Sequence, residues 1–334
     1  KILVKKKQSI PLHQIKEISF DHVEIITRKK IRKISINKIR NLPKKLKTKI
    51  NSDLKKITLK KSNFSNLNFK KIPNILGVLN LTPDSFSDGG KFNSKKKGVK
   101  HAFELLNSGA NLIDIGGEST RPGSKAIKEN LEWNRLNKIL RLVGKKIPLS
   151  LDTRKSNIMK KGIQEGVKLI NDVSGLSFDN ETINVLKRYK TPFVIQHSQG
   201  SPENMQRKPK YKNELLDIYD FFENKIKLIR SMGIKHNNII LDPGIGFGKN
   251  LKHNLMLMNK ISLFHSLGFP LLIGTSRKRF INHISGNFDT KERLGGTLAS
   301  ILYTLLQGVQ IFRVHNVSEI KQGILVFNRI ILGK

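Results

Sequence analysis

The sequence predicts an α/β protein, a (β/α)8 TIM barrel with a basic N-terminal extension. The first observation is that eight short apolar runs, rich in β-branched residues, recur over about 260 residues. The second is that segments with helical spacing of apolar residues lie between these runs, as in Leu215, Ile218, Phe222, Ile226 and Ile229. An open doubly wound sheet is the alternative, and the count of eight strands favours the barrel. The eight runs are 75–79, 111–115, 147–151, 167–170, 192–195, 238–241, 270–273 and 309–312.

The first 71 residues differ from the rest of the chain. They hold 22 Lys and Arg against four Asp and Glu, and they contain no Gly. The short alternating stretches 22–26 and 34–36 predict strands of a small accessory unit, and a partly ordered arm is the alternative. The predicted division is therefore a Lys-rich extension or small accessory unit over residues 1–71 and a barrel over residues 72–334.

Composition excludes several classes of protein. The absence of Cys excludes disulfides, thiolate metal sites and cysteine nucleophiles. No apolar run approaches the roughly 20 residues that span a bilayer, and the N-terminus has no secretory pattern, so we expect a cytoplasmic protein without a membrane partner. The net charge of +38 would suit nucleic acid. No aromatic-interleaved or helix-turn-helix pattern accompanies that charge, so we do not expect a nucleic-acid partner.

Polar side chains follow the predicted strands, where a barrel of this kind carries its active site. Carboxylate and amide groups at the ends of three strands can converge on a flat, nitrogen-rich heterocycle, which needs such acceptors. Cationic groups at the ends of the last two strands suit a diphosphate. The three acceptors are Asp152, Asn171 and Asp242, and the cationic groups are Lys278, Arg313 and His315.

Each of these signals has a structural alternative when it is taken alone. Asp152 or Asp242 could cap the following helix, and His197 could be an ordinary barrel-mouth histidine. The glycine run at 244–248 resembles a dinucleotide loop only superficially, because no acidic residue stands at the spacing that a ribose needs. No His and carboxylate cluster has the spacing of a tight zinc or iron site. Loosely held Mg²⁺ on a substrate diphosphate remains compatible with the sequence.

Two long motifs carry a specific resemblance. GVLNLTPDSFSDGG at 77–90 and DIGGESTRPG at 114–123 resemble the two signature loops of the dihydropteroate synthase family. The segments around Asp152, 171–172, 242–244, 276–278 and 313–315 match the same family in order and spacing. The resemblance covers residues 72–334.

The resemblance implies a transferase of tetrahydrofolate biosynthesis. It would condense 6-hydroxymethyl-7,8-dihydropterin diphosphate with 4-aminobenzoate and release 7,8-dihydropteroate and diphosphate. It also implies Mg²⁺ as cofactor, a homodimer and a sulfonamide target. The family roles carried onto this chain are Asn80 for Mg²⁺; Asp152, Asn171, Asp242 and Lys278 for the pterin; Thr120 and Arg121 for the mobile loop around both substrates; Arg277 for the aminobenzoate carboxylate; and Arg313 and His315 for the diphosphate. The catalytic set is then Asp152, Asp242, Lys278 and Arg121.

The chain departs from the family pattern at four positions. Gln196 and Ser198 flank His197 where apolar Met is usual, Asn316 replaces an Asp, and Arg279 stands where many members carry Ser. These departures bear on affinity and sulfonamide response. A pterin-binding methyltransferase barrel is the nearest alternative, but it lacks the ESTRPG loop. A nucleic-acid-binding protein built on an inactive barrel is the other, and the retained strand-end residues argue against it.

Overall fold

The N-terminal residues form a folded unit in the computed structural model, which describes residues 4, 6, 8–82, 95–286 and 289–333, without the side chains of 16 and 95. Two antiparallel pairs are present, β1 (Ile10–Leu12) with β2 (Ile15–Phe20) and β3 (His22–Ile26) with β4 (Ile31–Ser35). A 3-10 helix, Ile36–Asn41, and a helix, Lys44–Thr58, follow. A small apolar cluster holds β3 and β4 against these helices. β3 coincides with the alternating stretch 22–26 and β4 shares two residues with the stretch 34–36, and the assignment of residues 1–71 to a small accessory unit stays a prediction.

The remaining eight strands form the predicted barrel. Neighbouring strands are parallel, and an isolated bridge between Leu241 and Leu271 closes the sheet. The predicted TIM barrel is confirmed. The strands are β5 (Asn74–Asn80), β6 (Leu112–Gly116), β7 (Leu149–Asp152), β8 (Leu169–Asp172), β9 (Phe193–Gln196), β10 (Ile239–Asp242), β11 (Leu272–Ile273) and β12 (Ile311–Val314).

Helices between the strands cover the outside of the barrel. In Glu214–Ser231 the apolar positions Leu215, Ile218, Phe222 and Ile229 are buried, as their spacing predicts, and Asn213 caps the first turn by accepting a hydrogen bond from the Leu216 amide. Within the described residues, no helix has the length and apolar character to cross a membrane. The other helices are Lys95–Asn107, Glu129–Val143, Ser156–Gln164, Thr182–Tyr189, Leu251–Asn259, Arg279–Ser285, Leu294–Leu306 and Val317–Leu332, with a 3-10 helix at Ile261–Leu267.

Because side chains alternate between the two faces of a strand, every second residue of a barrel strand points into the barrel interior. One interior layer is mainly apolar and forms the barrel floor, to which β7 contributes the buried Ser150 beside Leu169. The residues two positions further along the same strands face the same interior, nearer the carboxyl ends, and most of them are polar. The floor contains Leu76, Leu112, Leu169, Val194, Ile240, Leu272 and Ile311. The next layer contains Val78, Asp114, Asn171, Gln196, Asp242, Gly274 and Arg313.

The N-terminal segment is packed against the barrel. Leu67 and Phe69 are buried in the barrel floor, although they precede the first barrel strand. Arg28 pairs with Asp217 and Asp220 at 2.8 and 2.7 Å. The predicted boundary between 1–71 and 72–334 stays a prediction, but a cut at residue 71 would expose this part of the floor.

A buried histidine pair lies at this junction. His13 Nε2 is 3.2 Å from His265 Nδ1, and His265 Nε2 donates to the Gln307 carbonyl at 2.9 Å. Burial lowers the pKa of His13 to about 2 and that of His265 to about 4. Both imidazoles are therefore neutral in the folded protein at pH 5, whereas in the unfolded chain they take up protons below about pH 6.5.

This difference in pKa predicts acid sensitivity. Because the unfolded state binds more protons, the free energy of unfolding should fall below pH 6.5, by up to about 1.4 kcal/mol per pH unit for each histidine. Urea unfolding of His13→Gln at pH 7.5, 6.0 and 5.0 should show a shallower pH dependence than the unmodified chain. His22→Gln, at an exposed position, is the control. An unchanged slope in His13→Gln would contradict the assignment.

Candidate active site

The strand-end residues meet at one cavity. This cavity, of about 750 Å³, opens at the carboxyl ends of the barrel strands. Asp152 lies beneath it, in contact with Arg313, which does line it. The structure thus brings all ten predicted site residues to the same end of the barrel. The nine that line the cavity are Asn80, Thr120, Arg121, Asn171, Asp242, Arg277, Lys278, Arg313 and His315.

Arg313 is the centre of a buried charge network. Its Nε donates to Asp114 Oδ2 at 2.6 Å and its Nη2 donates to Asp152 Oδ2 at 2.9 Å. Asn171 Nδ2 donates to the same Asp114 oxygen at 3.0 Å, which leaves Asn171 Oδ1 as an acceptor. Asp152 Oδ1 and Asn171 Oδ1 are buried without a hydrogen-bond partner among the described residues. These two oxygens are acceptors held in position for a donor from a ligand.

Asp114 is a site residue that the sequence analysis missed. It is fully buried and it shares Arg313 with Asp152. Asp114 lies inside β6, two residues after the floor residue Leu112, and its place in the apolar run 111–115 and at the start of the second motif does not by itself assign it a role. The alternation itself was the available signal, because an Asp in register with interior apolar residues must face the barrel interior.

Burial shifts the pKa values of the ionisable groups around the cavity toward neutrality. Burial raises the pKa of Asp242 to about 6, although the Gly244 amide and Lys278 oppose this shift. Burial also raises the pKa of Asp152, and the positive charge of Arg313 works in the opposite direction. Burial lowers the pKa of Lys278 to about 8, and Arg313 lowers it further. Charges in this cavity are therefore poorly solvated and will interact strongly with a charged ligand.

The glycine run after β10 shapes a turn around Lys278. Gly244, Gly246 and Gly248 all have positive φ. A Cβ on Gly246 would lie 3.1 Å from Lys278 Cδ, and Lys278 Nζ sits 4.0 Å from the centre of the Phe247 ring. The run therefore lets the backbone approach the lysine stem, and it does not build a dinucleotide loop.

His197 and the buried Lys249 hold this turn from behind. Lys249 Nζ lies 2.9 Å from His197 Nδ1 and donates to the Phe247 carbonyl at 2.8 Å. Burial and the neighbouring Lys249 lower the pKa of His197 well below its usual value. The interpretation of His197 as a barrel-mouth histidine agrees with these contacts.

The charge of His315 differs from the sequence prediction. Its Nδ1 is 3.0 Å from Ser276 Oγ. Burial lowers its pKa well below the usual value, and four neighbouring cations lower it further, first among them Arg277 and Arg313. Burial and these cations therefore disfavour protonation of His315 in the protein without substrate, whereas the sequence analysis counts His315 among the cationic groups.

Arg277 is held by one of the departures from the family pattern. Its Nε and Nη2 donate to Asn316 Oδ1 at 3.3 and 2.9 Å, and its backbone amide donates to Thr297 Oγ1. Arg277 also has a positive φ of 61°. Since Asn316 is a neutral acceptor, it orients the guanidinium without neutralising it.

Of the two signature motifs, the second is described in full and the first only as far as residue 82. The part of the first loop from 83 to 90 lies outside the residues that the structure describes. The second motif leaves β6 after Gly116 and reaches Glu118, whose Oε2 accepts from Arg154 Nε at 2.9 Å and whose Oε1 accepts from Lys155 Nζ at 3.0 Å. Lys155 also pairs with the buried Glu132. This network fastens the base of the loop with Thr120 and Arg121 to the segment that follows Asp152.

The fold and the site define a pterin-binding barrel enzyme. The model of the family described as pterin binding enzyme matches residues 76–315. A dihydropteroate synthase of Clostridium beijerinckii is 41% identical over 248 residues, 73% of this chain and 89% of that one. The Escherichia coli K12 dihydropteroate synthase is 37% identical over 264 residues, 78% of this chain and 93% of that one.

A solved structure of a dihydropteroate synthase also resembles this chain. The Yersinia pestis dihydropteroate synthase in complex with a sulfonamide drug has a TM-score of 0.74 at 38% identity, covering 78% of this chain and 94% of that chain. The chain belongs to the dihydropteroate synthase family, the transferases of folate biosynthesis that join a pterin diphosphate to 4-aminobenzoate.

Proposed function

We propose that the cavity performs the condensation of 6-hydroxymethyl-7,8-dihydropterin diphosphate with 4-aminobenzoate through the ten residues placed around it. The observation that carries this proposal is the pair of buried, unpartnered acceptors, Asp152 Oδ1 and Asn171 Oδ1, beside the buried Asp242. A pterin ring presents amino and ring N–H donors that such acceptors would satisfy. A solved dihydropteroate synthase of Clostridium difficile was crystallised in the presence of pteroic acid, which supports this assignment.

The cationic side of the cavity would take the diphosphate. Arg313, Lys278 and His315 all line it. A bound diphosphate would offset the four cations around His315 and so raise its pKa, which would let both imidazole nitrogens donate. Arg313 remains paired with Asp114 and Asp152, so it would couple the pterin side to the diphosphate side.

Asn80 is our candidate ligand for Mg²⁺. It ends β5, and its side chain lines the same cavity. A single amide oxygen fits an ion that keeps several waters and takes substrate phosphate oxygens as its other ligands. When bound, the ion would neutralise charge on the departing diphosphate.

The charged side chains around the cavity would stabilise the charges that develop during the proposed reaction. The bond between the pterin methylene carbon and the diphosphate oxygen breaks, and its electron pair leaves with the diphosphate. Asp152 and Asp242 would stabilise the positive pterin-methyl centre. The amino nitrogen of 4-aminobenzoate then bonds to the methylene carbon and loses one proton. Since this nitrogen is a weak base, positioning matters more than deprotonation, and we assign no dedicated base.

The second substrate would bind at the outer part of the cavity. Arg277, oriented by Asn316, would hold the carboxylate, and Thr120 and Arg121 would close over the ring. The solved Xanthomonas albilineans dihydropteroate synthase holds 4-aminobenzoic acid, which supports such a site. Sulfonamides would compete here, as the Yersinia pestis complex suggests.

The direct test is turnover of the purified chain. Pterin diphosphate and 4-aminobenzoate should give 7,8-dihydropteroate and diphosphate in equal amounts, and chelation of Mg²⁺ should slow the reaction. Product is followed by chromatography and diphosphate by a coupled assay. Absence of pteroate formation in a folded preparation with Mg²⁺ would overturn the proposal.

We expect the pterin substrate to bind first. Its diphosphate supplies negative charge that Arg121 can meet as its loop closes, which orders the site for 4-aminobenzoate. Calorimetric titration of 4-aminobenzoate should show an affinity about 5- to 150-fold higher with pterin and diphosphate bound, the range of ordinary coupling energies. Equal affinities in the two states would contradict ordered binding.

A homodimer is proposed from an exposed apolar surface. The packed helices Leu294–Leu306 and Val317–Leu332 expose Leu306, Leu325, Val326 and Ile330, the last with 71% of its surface accessible. Sedimentation should show a dimer, and the double substitution Val326→Glu with Ile330→Glu should give a monomer of unchanged secondary structure. A monomeric unmodified chain would contradict this proposal. Cytoplasmic localisation and the absence of a nucleic-acid partner stay predictions.

A further inference from the structure

We propose that Gln196 is an additional pterin-contacting residue, whose side-chain amide donates a hydrogen bond to the heterocycle and makes the site selective for rings that carry an acceptor there. This inference rests on the proposed pterin binding. It concerns a residue outside the ten predicted ones, at a position where the sequence departs from the family pattern.

The backbone places Gln196 in the layer that holds the pterin-facing groups. It ends β9, two residues after the floor residue Val194, so its side chain faces the barrel interior. In the neighbouring strand β10 its register partner is Asp242. Gln196 lines the cavity and is only 3% exposed.

The amide of Gln196 has an unused donor. Its Nε2 is buried and has no hydrogen-bond partner among the described residues. A buried amide group without a partner costs free energy, so an uncompensated donor at the cavity wall favours a ligand that supplies an acceptor. The neighbouring Asn171 differs, because its nitrogen is already occupied by Asp114.

The other polar groups of the cavity wall show what the Gln196 amide adds to ligand recognition. Asn171 Oδ1 and the carboxylates of Asp152 and Asp242 are acceptors, suited to the N–H groups of a ring. A fused aminopyrimidine ring also carries lone pairs on ring nitrogens and a carbonyl oxygen. Gln196 offers a neutral donor to one of these, beside the charged donor Lys278. An apolar side chain at position 196 would bind an analogue that carries a C–H in place of that lone pair. A fixed N–H donor disfavours this analogue, because the donor is then left without an acceptor.

Ser198 provides a matched control from the same segment. It also stands where the family pattern has Met, but its hydroxyl donates to the Gly200 carbonyl at 3.2 Å, and it is not among the cavity-lining residues. Ser198→Met changes the polarity of the segment without touching the proposed contact.

The test compares pterin diphosphate with analogues in which one ring acceptor is replaced by C–H. Binding to the full chain is measured by calorimetry with Mg²⁺ present. For one analogue we expect the unmodified chain to bind at least about tenfold more weakly than it binds the parent. In Gln196→Met, parent affinity should fall about 3- to 10-fold, and the discrimination against that analogue should shrink to less than about twofold. Ser198→Met should keep the full discrimination, and the KM for 4-aminobenzoate should not change in either variant.

The outcomes separate the two proposals. Failure of the unmodified chain to bind pterin diphosphate would overturn the proposed function itself. Normal binding with no discrimination among the analogues, or discrimination that survives in Gln196→Met, would overturn the role of Gln196. Should Gln196→Met not fold, Gln196→Glu retains the shape and replaces the donor by an acceptor, so it should lose at least as much parent affinity at neutral pH. Unchanged affinity in that variant would also refute the contact.

Discussion

Replacing Asp242 or Asp152 with asparagine should lower turnover at least about tenfold, a loss of roughly 1.4 kcal/mol or more of transition-state stabilisation. Asp242 is buried beside Lys278, and Asp152 is held by Arg313 at 2.9 Å. Asparagine keeps the shape of each side chain but removes the negative charge that would meet the developing pterin cation. Steady-state kinetics with each substrate varied gives the effect on kcat and on kcat/KM.

The shifted pKa values of Asp242 and Lys278 add a pH dependence to this prediction. Asp242, with a pKa of about 6, loses its negative charge as the pH falls through 6, and Lys278, with a pKa of about 8, loses its positive charge as the pH rises through 8. Pterin binding should therefore be strongest between these values. Asp220→Asn, an exposed carboxylate paired with Arg28, is the control for the chemical change alone. Near-normal kinetics in both Asp152→Asn and Asp242→Asn would refute the pterin assignment.

Strand-end residues were predictable because they follow apolar runs directly. Asp152 and Asp242 end their strands and Asn171 is the next-to-last residue of β8, so the barrel topology alone brings them together. Asp114 and Gln196 belong to the same interior layer, but Asp114 lies inside the apolar run 111–115, and Gln196 stands out in the sequence only as a departure from the family pattern after the run 192–195. Only the register of the closed sheet shows which face of each strand they occupy.

Charge states depend on contacts between distant parts of the chain, so local sequence does not reveal them. The cations that lower the pKa of His315, in addition to burial, include Arg121 and Lys278, which come from different loops. The packing of the N-terminal extension likewise depends on contacts that the local sequence does not reveal. Alternation predicted β3 and only the last two residues of β4, and the burial of Leu67 and Phe69 in the barrel floor is a long-range contact.

The anchor of the second signature loop carries the other large expected effect. Glu118 is buried and forms ion pairs with Arg154 and Lys155, and its Oε1 also accepts from the Ile127 amide at 2.8 Å. Burial alone would raise the pKa of Glu118, but these donors hold it below its usual value. Its carboxylate therefore stays charged and bound at neutral pH, within three residues of Thr120 and Arg121.

Glu118→Ala should lower the free energy of unfolding by about 3–5 kcal/mol, because it leaves Arg154 buried without its carboxylate partner. Glu118→Gln keeps the shape, so it should fold, and it should raise the KM for 4-aminobenzoate more than that for pterin diphosphate, since the loop rather than the barrel interior loses its anchor. Urea unfolding and steady-state kinetics give the two readouts. The surface pair of Glu129 with Lys161, at 3.4 Å, supplies the control, and Glu129→Gln should change stability by less than about 0.5 kcal/mol. Were Glu118→Gln to raise both KM values equally, the network would stabilise the whole barrel mouth instead of positioning one loop.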